Sequence, residues 1–163
     1  MTRIVIDASV TLSWCFPDEQ TQTSMDVLDR LKAGEQALVP AFWALEVVNT
    51  LLVGERKGRI TAEQTRVFLD TLRILNPTLD YASLEQVAGP IQIICRDHHL
   101  TPYDALYIEL ALRSGCPLAT LDQPQNMPQA RLAFVARESP VHAASGCMWL
   151  ASSRQAIRSD QAK

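Results

Sequence analysis

Residues 4–7 read Ile-Val-Ile-Asp, a short run of β-branched apolar side chains that ends in a carboxylate. An apolar run without polar alternation is typical of a strand that is buried on both faces of a parallel sheet. Similar short runs occur at residues 37–39 and 117–121, and segments with helical periodicity separate the three. Because strands that alternate with helices favour right-handed β-α-β crossovers, we predict an α/β fold with a central, mainly parallel sheet and helices on both of its faces.

Helical periodicity, capping residues and helix breakers define the segments between the strands. The predicted helices are residues 10–16, 21–33, 40–52, 61–75 and 101–112, and Pro40 is expected to start the third of them. The last two begin at threonine caps, Thr61 and Thr101, and Gly115 is the expected terminator of the final one. Residues 83–96 keep an apolar rhythm, but Gly89-Pro90 in their middle argues against a continuous helix. Residues 76–79 are predicted to be an extended connection.

The composition describes an ordinary globular protein. Of the 163 residues, 47% are hydrophobic and 20% are charged, which suits one soluble domain and argues against disorder. Neither a membrane-spanning apolar run nor a signal peptide is visible, so we expect a cytoplasmic protein without membrane contact. The formal net charge of -3 lacks the basic excess with which nucleic-acid-binding proteins neutralise phosphates. A nucleic-acid role would therefore need another source of positive charge.

The C-terminal part of the chain gives fewer structural signals. Residues 123–128 are predicted to be a polar loop, and residues 132–135 are a predicted last strand. From His142 onward the residues are mostly small and polar. We predict one domain over residues 1–141 and a flexible tail over residues 142–163.

Two aspartates follow predicted strands. Asp7 comes directly after the first strand, and Asp122 comes directly after the strand at residues 117–121. Parallel strands present their carboxyl ends at one edge of the sheet, where α/β folds bind ligands. An aspartate after a strand can also cap the next helix, and this alternative stays open for each residue alone. Two such aspartates at one edge favour a site.

Two further carboxylates lie on predicted helices. Glu46 interrupts an apolar stretch and shares a helical face with Asn49; a solvent-facing glutamate is the alternative. Asp104 comes three residues after Thr101, so a capping box would account for it without any catalytic role. A carboxylate in the first turn of a helix can also face the cleft over the sheet, and the two roles are compatible.

A cluster of these carboxylates would need a cation. Without lysine or arginine among them, their charges would repel one another and raise each other's pKa. Carboxylate oxygens select hard ions such as Mg²⁺ or Mn²⁺. Zinc is disfavoured because the four cysteines, at positions 15, 95, 116 and 147, form no C-x-x-C pair. The predicted metal ligands and catalytic residues are Asp7, Glu46, Asp104 and Asp122.

Several stretches together resemble a known family. They are residues 4–10 with Ser13-Trp14 and Pro17, Val39-Pro40 with Glu46 and Asn49, residues 100–105, and residues 118–122. In this order, residues 3 to about 122 closely resemble the PIN-domain ribonucleases, and among these the VapC toxins of bacterial toxin-antitoxin pairs. The resemblance implies a three-layer α/β/α sandwich, a homodimer, a divalent-metal-dependent endoribonuclease that cleaves RNA, and inhibition by a small antitoxin protein.

The resemblance also assigns roles to individual residues. The four acidic positions of the family fall on Asp7, Glu46, Asp104 and Asp122. As supporting residues, Ser9 falls on the hydroxyl position near the first aspartate, and Asn49 falls on the polar position one turn after the glutamate. After Asp122 the chain departs from the family pattern, because residues 123–128 replace a charged helix and a Gly-Val strand.

The implied mechanism uses one or two metal ions, which lower the pKa of a bound water and neutralise charge on the phosphate. Three basic side chains beyond the predicted Glu46 helix would steer RNA towards the acidic cleft, or form only a solvated helix end: Arg56, Lys57 and Arg59.

The expected antitoxin would insert an arginine or lysine among the carboxylates, because their charges attract a guanidinium bidentately. Its apolar helix would lie in a groove beside three aromatic residues, which are otherwise part of the core: Trp14, Phe16 and Phe42.

Other acidic α/β classes fit this sequence less well. A haloacid-dehalogenase-type phosphatase would need a second aspartate where Ser9 stands. A phospho-receiver would need paired acids beside Asp7 and a lysine after a late strand. The remaining alternative is a catalytically inactive PIN fold that serves as a binding or assembly module, and the four filled acidic positions disfavour it.

Overall fold

The computed structural model describes residues 2–122 of the protein. Its strands are β1 (Arg3–Ile6), β2 (Gln36–Pro40), β3 (Thr78–Asp80) and β4 (Leu118–Ala119). Its helices are α1 (Ala8–Ser13), α2 (Gln22–Lys32), α3 (Trp43–Arg56), α4 (Ala62–Leu75), α5 (Leu84–Gln86), α6 (Gln92–His98) and α7 (Pro102–Ser114). A short 3-10 turn covers Pro17–Glu19, and a π-helical turn covers Val87–Ile91.

The four strands form one parallel sheet in the order β3-β2-β1-β4. β1 is central, since Val5 is in register with Leu38 of β2 on one side and with Leu118 of β4 on the other. Every side chain from Ile4 to Ile6 is buried, as expected for a strand that is covered on both faces. The predicted central, parallel sheet is confirmed.

Helices cover both faces of this sheet. On one face, Ile6 and Ala37 meet Leu31 of α2, Trp43 of α3 and Leu72 of α4 around a small apolar cavity. On the other face, α7 packs across β1, β2 and β4, and α6 packs against α7. The predicted α/β class and its three-layer α/β/α arrangement are therefore confirmed.

Side-chain caps mark two helix boundaries where the sequence predicts them. Thr61 and Gln64 form both arms of a capping box at the start of α4. Thr101 caps α7, and Pro102 occupies its first position. Gly115 ends α7 with a φ of 64°, a left-handed conformation that glycine adopts without the steric cost of a Cβ.

Four local predictions differ from the structure. α1 covers Ala8–Ser13, so it begins and ends earlier than the predicted residues 10–16. Pro40 does not start a helix, because it is the last residue of β2 and pairs with Asp80 of β3. The predicted extended connection contains the start of β3, which is a strand because β2 pairs with it. Residues 84–98 stay helical through Gly89-Pro90, because the wider π-helical turn accommodates a proline that lacks an N–H.

Some predictions concern parts of the chain outside residues 2–122. The last strand at residues 132–135, the domain limit at residue 141 and the tail over residues 142–163 lie outside the described residues. Of the helices that the structure describes, none combines the length and the apolar character needed to cross a bilayer.

Candidate active site

The sheet order creates a crevice between β1 and β4. From β1 the chain crosses to β2 on one side, and β4 later adds to the other side of β1. This reversal is a topological switch point, and α/β proteins bind ligands outside the carboxyl ends of the strands at such a point. Asp7 follows β1 directly, and Asp122 follows β4 after two residues. The first two predicted site residues therefore meet at the same edge of the sheet.

Asp7 is held by hydrogen bonds to both of its carboxylate oxygens. Oδ1 accepts the backbone N–H of Ser9 at 3.0 Å, which caps α1. Oδ2 accepts the hydroxyl of Thr120 at 2.9 Å. Burial raises the pKa of Asp7, whereas these two hydrogen bonds lower it. The charges of Asp122 and Asp104 raise the pKa further. The capping interpretation of Asp7 is correct for one oxygen, while the other faces β4.

Two hydroxyl groups connect the end of β4 to the start of α1. The Thr120 hydroxyl oxygen accepts the backbone N–H of Asp122 at 3.1 Å, and the Ser9 hydroxyl oxygen accepts that of Leu121 at 3.1 Å. Ser9 thus lies beside the first aspartate, as predicted. Sequence reasoning missed Thr120. The available signal was its place at the end of the predicted strand, two residues before Asp122.

Glu46 lies in the first turn of α3 and is half-buried, so the alternative of a solvent-facing glutamate is wrong. Its Oε2 accepts the hydroxyl of Tyr107 at 2.6 Å. Burial raises the pKa of Glu46, as do the nearby charges of three other acidic residues, whereas the Tyr107 bond lowers it. Sequence reasoning missed Tyr107, which lies three residues after Asp104 and therefore on the same face of α7.

Asp104 lies in the first turn of α7 and is exposed. Its backbone N–H donates to the Thr101 hydroxyl oxygen at 3.2 Å, and the same hydroxyl donates to Asp104 Oδ2 at 2.7 Å. A capping box would instead join the carboxylate to the backbone N–H of Thr101. The box is thus only half formed, but the carboxylate still contacts the capping residue through its hydroxyl. Both the capping interpretation of Asp104 and its role in the cleft therefore stay predictions.

The four carboxylates influence one another through their charges. Burial and the charge of Asp104 raise the pKa of Asp122, in the same direction as the shifts at Asp7 and Glu46. None of the ion pairs formed within residues 2–122 includes any of the four. The described part of the chain therefore contains an uncompensated acidic cleft.

Oxygen donors and uncompensated negative charge are the chemistry that a hard divalent cation requires. As the side chains stand, no three acidic, histidine or cysteine side chains within residues 2–122 are close enough to hold an ion together. The carboxylate oxygens are suitable donors for such an ion, but the acidic side chains lie farther apart than they would in a closed coordination shell.

The comparisons with known proteins identify the family of the chain. The model of the family described as "PIN domain" matches residues 4–127. The chain belongs to the PIN-domain family. A relative from Pyrobaculum aerophilum, Ribonuclease VapC3, is 26% identical over 121 residues, which cover 74% of this chain and 90% of that protein.

Solved structures resemble this PIN domain in fold. The crystal structure of PAE2754 from Pyrobaculum aerophilum has a TM-score of 0.60 and 18% identity, and the match covers 93% of this chain and 96% of that one. VapBC2 from Rickettsia felis, solved with a DNA fragment from its promoter, has a TM-score of 0.51 and 13% identity, with 74% of this chain and 88% of that one covered. At these identities the likeness shows the fold alone.

Asn49 is exposed one turn after Glu46 in this PIN domain. Its side chain forms no hydrogen bond with any other residue within the described range. The structure places it near Glu46 on α3 without bringing it into the hydrogen-bond network of the site, so its supporting role stays a prediction.

One of the three basic residues expected to steer RNA has a different environment. Arg59 forms ion pairs with Asp18 and Glu19, each at 2.8 Å, and its guanidinium lies 4.3 Å from the centre of the Phe16 ring. It ties the segment after α1 to the segment after α3. Arg56 and Lys57 are exposed, and their role as a steering pair stays a prediction.

Two of the three aromatic residues expected in a partner groove belong to the interior instead. Phe16 is buried, and the Trp14 indole donates to the backbone oxygen of Ser24 at 2.8 Å. Phe42, in contrast, lies beside the acidic residues, where its ring meets those of Tyr103 and Tyr107 edge to face. Of the three, only Phe42 lies beside the acidic residues, and its place in a partner groove stays a prediction.

Proposed function

We propose that this PIN domain is a divalent-metal-dependent endoribonuclease that hydrolyses phosphodiester bonds in RNA and acts as the toxin of a toxin-antitoxin pair. The observation that carries the proposal is that four carboxylates without an ion-pair partner in the described residues, from the ends of β1 and β4 and the first turns of α3 and α7, lie near enough for their charges to affect one another. The similarity to a protein named as a ribonuclease, Ribonuclease VapC3, supports it.

Mg²⁺ or Mn²⁺ would be held by the four carboxylates: Asp7, Glu46, Asp104 and Asp122. When bound, the ion would supply a water of lowered pKa and neutralise charge that develops on the phosphate.

The chain's own residues orient the carboxylates through hydroxyl groups. The Thr120 hydroxyl donates a hydrogen bond to Oδ2 of Asp7. The Tyr107 hydroxyl donates to Oε2 of Glu46, and the Thr101 hydroxyl donates to Oδ2 of Asp104. Each carboxylate keeps lone pairs for a further partner, since one oxygen accepts about two hydrogen bonds. Ordering the acceptors in advance lowers the entropic cost of binding a cation and the phosphate beside it.

Cleavage of RNA is the direct test of this function. Purified protein should cut 5′-labelled single-stranded RNA at internal sites in Mg²⁺ or Mn²⁺, which gel electrophoresis detects. The Asp29→Asn variant is a matched control, because Asp29 is an exposed carboxylate on α2 that pairs with Lys32, and it should cut at the rate of the unmodified protein. RNA left whole in both ions would favour the alternative of a PIN-fold binding or assembly module.

The proposed antitoxin partner has an apolar surface available beside the site. A groove of about 260 Å³ lies next to Asp104 and is lined by Phe42, Val87, Ile91, Pro102, Tyr103 and Leu106. An antitoxin helix could lay apolar side chains there while an arginine or lysine enters the acidic cleft. Alanine scanning of the antitoxin's basic residues, in a co-purified complex, should relieve inhibition of RNA cleavage. Inhibition that survives every substitution would contradict this charge replacement.

The homodimer that the resemblance implies and the cytoplasmic location that the sequence predicts both stay predictions.

A further inference from the structure

The hydroxyl of Tyr107 occupies a special position among the acidic residues. Tyr107 is 3% exposed, and its hydroxyl donates to Glu46 Oε2 at 2.6 Å. Its ring meets the Phe42 ring edge to face, with 5.5 Å between the ring centres and an angle of 71°. Phe42 is the residue before α3, and Glu46 lies in the first turn of that helix. The same short segment therefore packs against the Tyr107 ring and accepts a hydrogen bond from the Tyr107 hydroxyl.

The Tyr107 hydroxyl donates its hydrogen bond to the Glu46 carboxylate and does not accept one from it. A carboxylate oxygen is an acceptor, so the direction of the bond is fixed. A charge-assisted bond of this length is among the stronger ones in proteins.

This hydroxyl also connects the elements that carry three of the carboxylates. Tyr107 shares a face of α7 with Asp104, which lies three residues earlier. The backbone amide of Ala8, the residue after Asp7, lies near the Tyr107 oxygen. Glu46 on α3 accepts the bond itself. Removal of this one hydroxyl would therefore change how α7, α3 and the end of β1 are held relative to one another.

A free glutamate side chain samples many rotamers, and fixing them costs conformational entropy. The bond to Oε2, together with the backbone of α3, restricts Oε1 to a narrow range of positions. We propose that Tyr107 is a positioning residue for the candidate metal centre, since its hydroxyl fixes the Glu46 carboxylate for a divalent cation. This inference rests on the proposed function, because it assumes that Glu46 is a metal ligand.

Removal of the hydroxyl alone tests the inference. Tyr107→Phe keeps the ring and its packing on Phe42, and we expect its dissociation constant for Mn²⁺ to rise about tenfold, as substitutions that orient metal ligands typically cause. Electron paramagnetic resonance of free Mn²⁺ gives that constant without any RNA. Tyr81→Phe is the matched control, because Tyr81 is an exposed tyrosine directly after β3, and it should bind Mn²⁺ within twofold of the unmodified protein.

A second pair of variants separates positioning from a purely structural role. If Tyr107 acts through Glu46, then Tyr107→Phe should change Mn²⁺ binding less than twofold in a Glu46→Gln background. A structural hydrogen bond would lower the melting temperature of Tyr107→Phe and leave the Mn²⁺ affinity of the folded protein unchanged, which would overturn the inference. A tenfold effect in both backgrounds would overturn it as well.

The outcomes also distinguish this inference from the proposed function. If the unmodified protein cleaves RNA and binds Mn²⁺, while Tyr107→Phe binds Mn²⁺ equally well, only the role of Tyr107 is wrong. If the unmodified protein binds no Mn²⁺, the metal-dependent function fails and the inference fails with it. Circular dichroism of each variant establishes that the compared proteins are folded.

Discussion

Excess EDTA is expected to reduce RNA cleavage by at least about a hundredfold, because the proposed function depends on a divalent cation that the four carboxylates would hold. Added Mg²⁺ or Mn²⁺ beyond the chelator should restore the rate. The measurement is the initial rate of fragment formation from labelled RNA. EDTA saturated with Mg²⁺ beforehand is the matched control, since it contains the same chelator without the capacity to remove ions.

Cleavage at full rate in excess chelator would contradict the metal-dependent mechanism. That outcome would bear directly on the metal ion, because none of the four carboxylates is paired with a described lysine or arginine whose charge could replace it. Without a cation the cleft would repel the phosphate of the substrate.

Asp7→Asn is expected to reduce cleavage by about a hundredfold or more, and to raise the melting temperature at pH 7 by about 2–5 °C. Asparagine is as good a helix cap as aspartate, so the bond from the Ser9 amide can remain. The negative charge, which burial and the neighbouring carboxylates disfavour, is lost. The variant should therefore combine a more stable fold with an inactive site.

The pH dependence of this stabilisation has a definite sign. The pKa of Asp7 is raised in the folded protein from its ordinary 3.8, so the folded state binds the proton more tightly than the unfolded chain. Its contribution to stability is present below pH 3.8 and is lost as the pH rises through the raised value. The advantage of Asp7→Asn should thus be largest at neutral pH and shrink in acid.

Thermal melts of Asp7→Asn and the control Asp29→Asn at several pH values check this expectation. Asp29 is exposed and forms a pair with Lys32, so its substitution should leave activity unchanged and give no gain in stability at neutral pH. An Asp7→Asn variant that is less stable than the unmodified protein at pH 7 would show that the hydrogen bond from Thr120 outweighs the charge repulsion.

The parts of the fold that could be predicted depend on short-range signals. The apolar run before Asp7, the capping box at Thr61 and Gln64, and the left-handed Gly115 each act within a few residues of the chain. These features are visible in sequence because their physical cause is local. The placement of Asp7 and Asp122 at one sheet edge follows from the parallel topology, which the alternation of strands and helices predicts.

The parts that could not be predicted depend on contacts between distant segments. β3 has a poor strand sequence by itself, and its strand state depends on pairing with β2. Tyr107 and Glu46 are separated by 61 positions in sequence, and nothing near either residue indicates the other. Arg59 is assigned to a basic surface by its neighbours in sequence, while Asp18 and Glu19, which neutralise it, lie far away in the chain.

The order of the strands has a consequence for the synthesis of the protein. β4 supplies Thr120, leads to Asp122 and pairs with β1, so the first and last segments of the described chain complete the cleft together. Pairings between such distant segments close late, because loop entropy opposes them. A nascent chain that still lacks β4 has made Asp7 and Glu46 but has no assembled site. For a ribonuclease, this timing would keep the growing polypeptide harmless to the RNA of the ribosome that is making it.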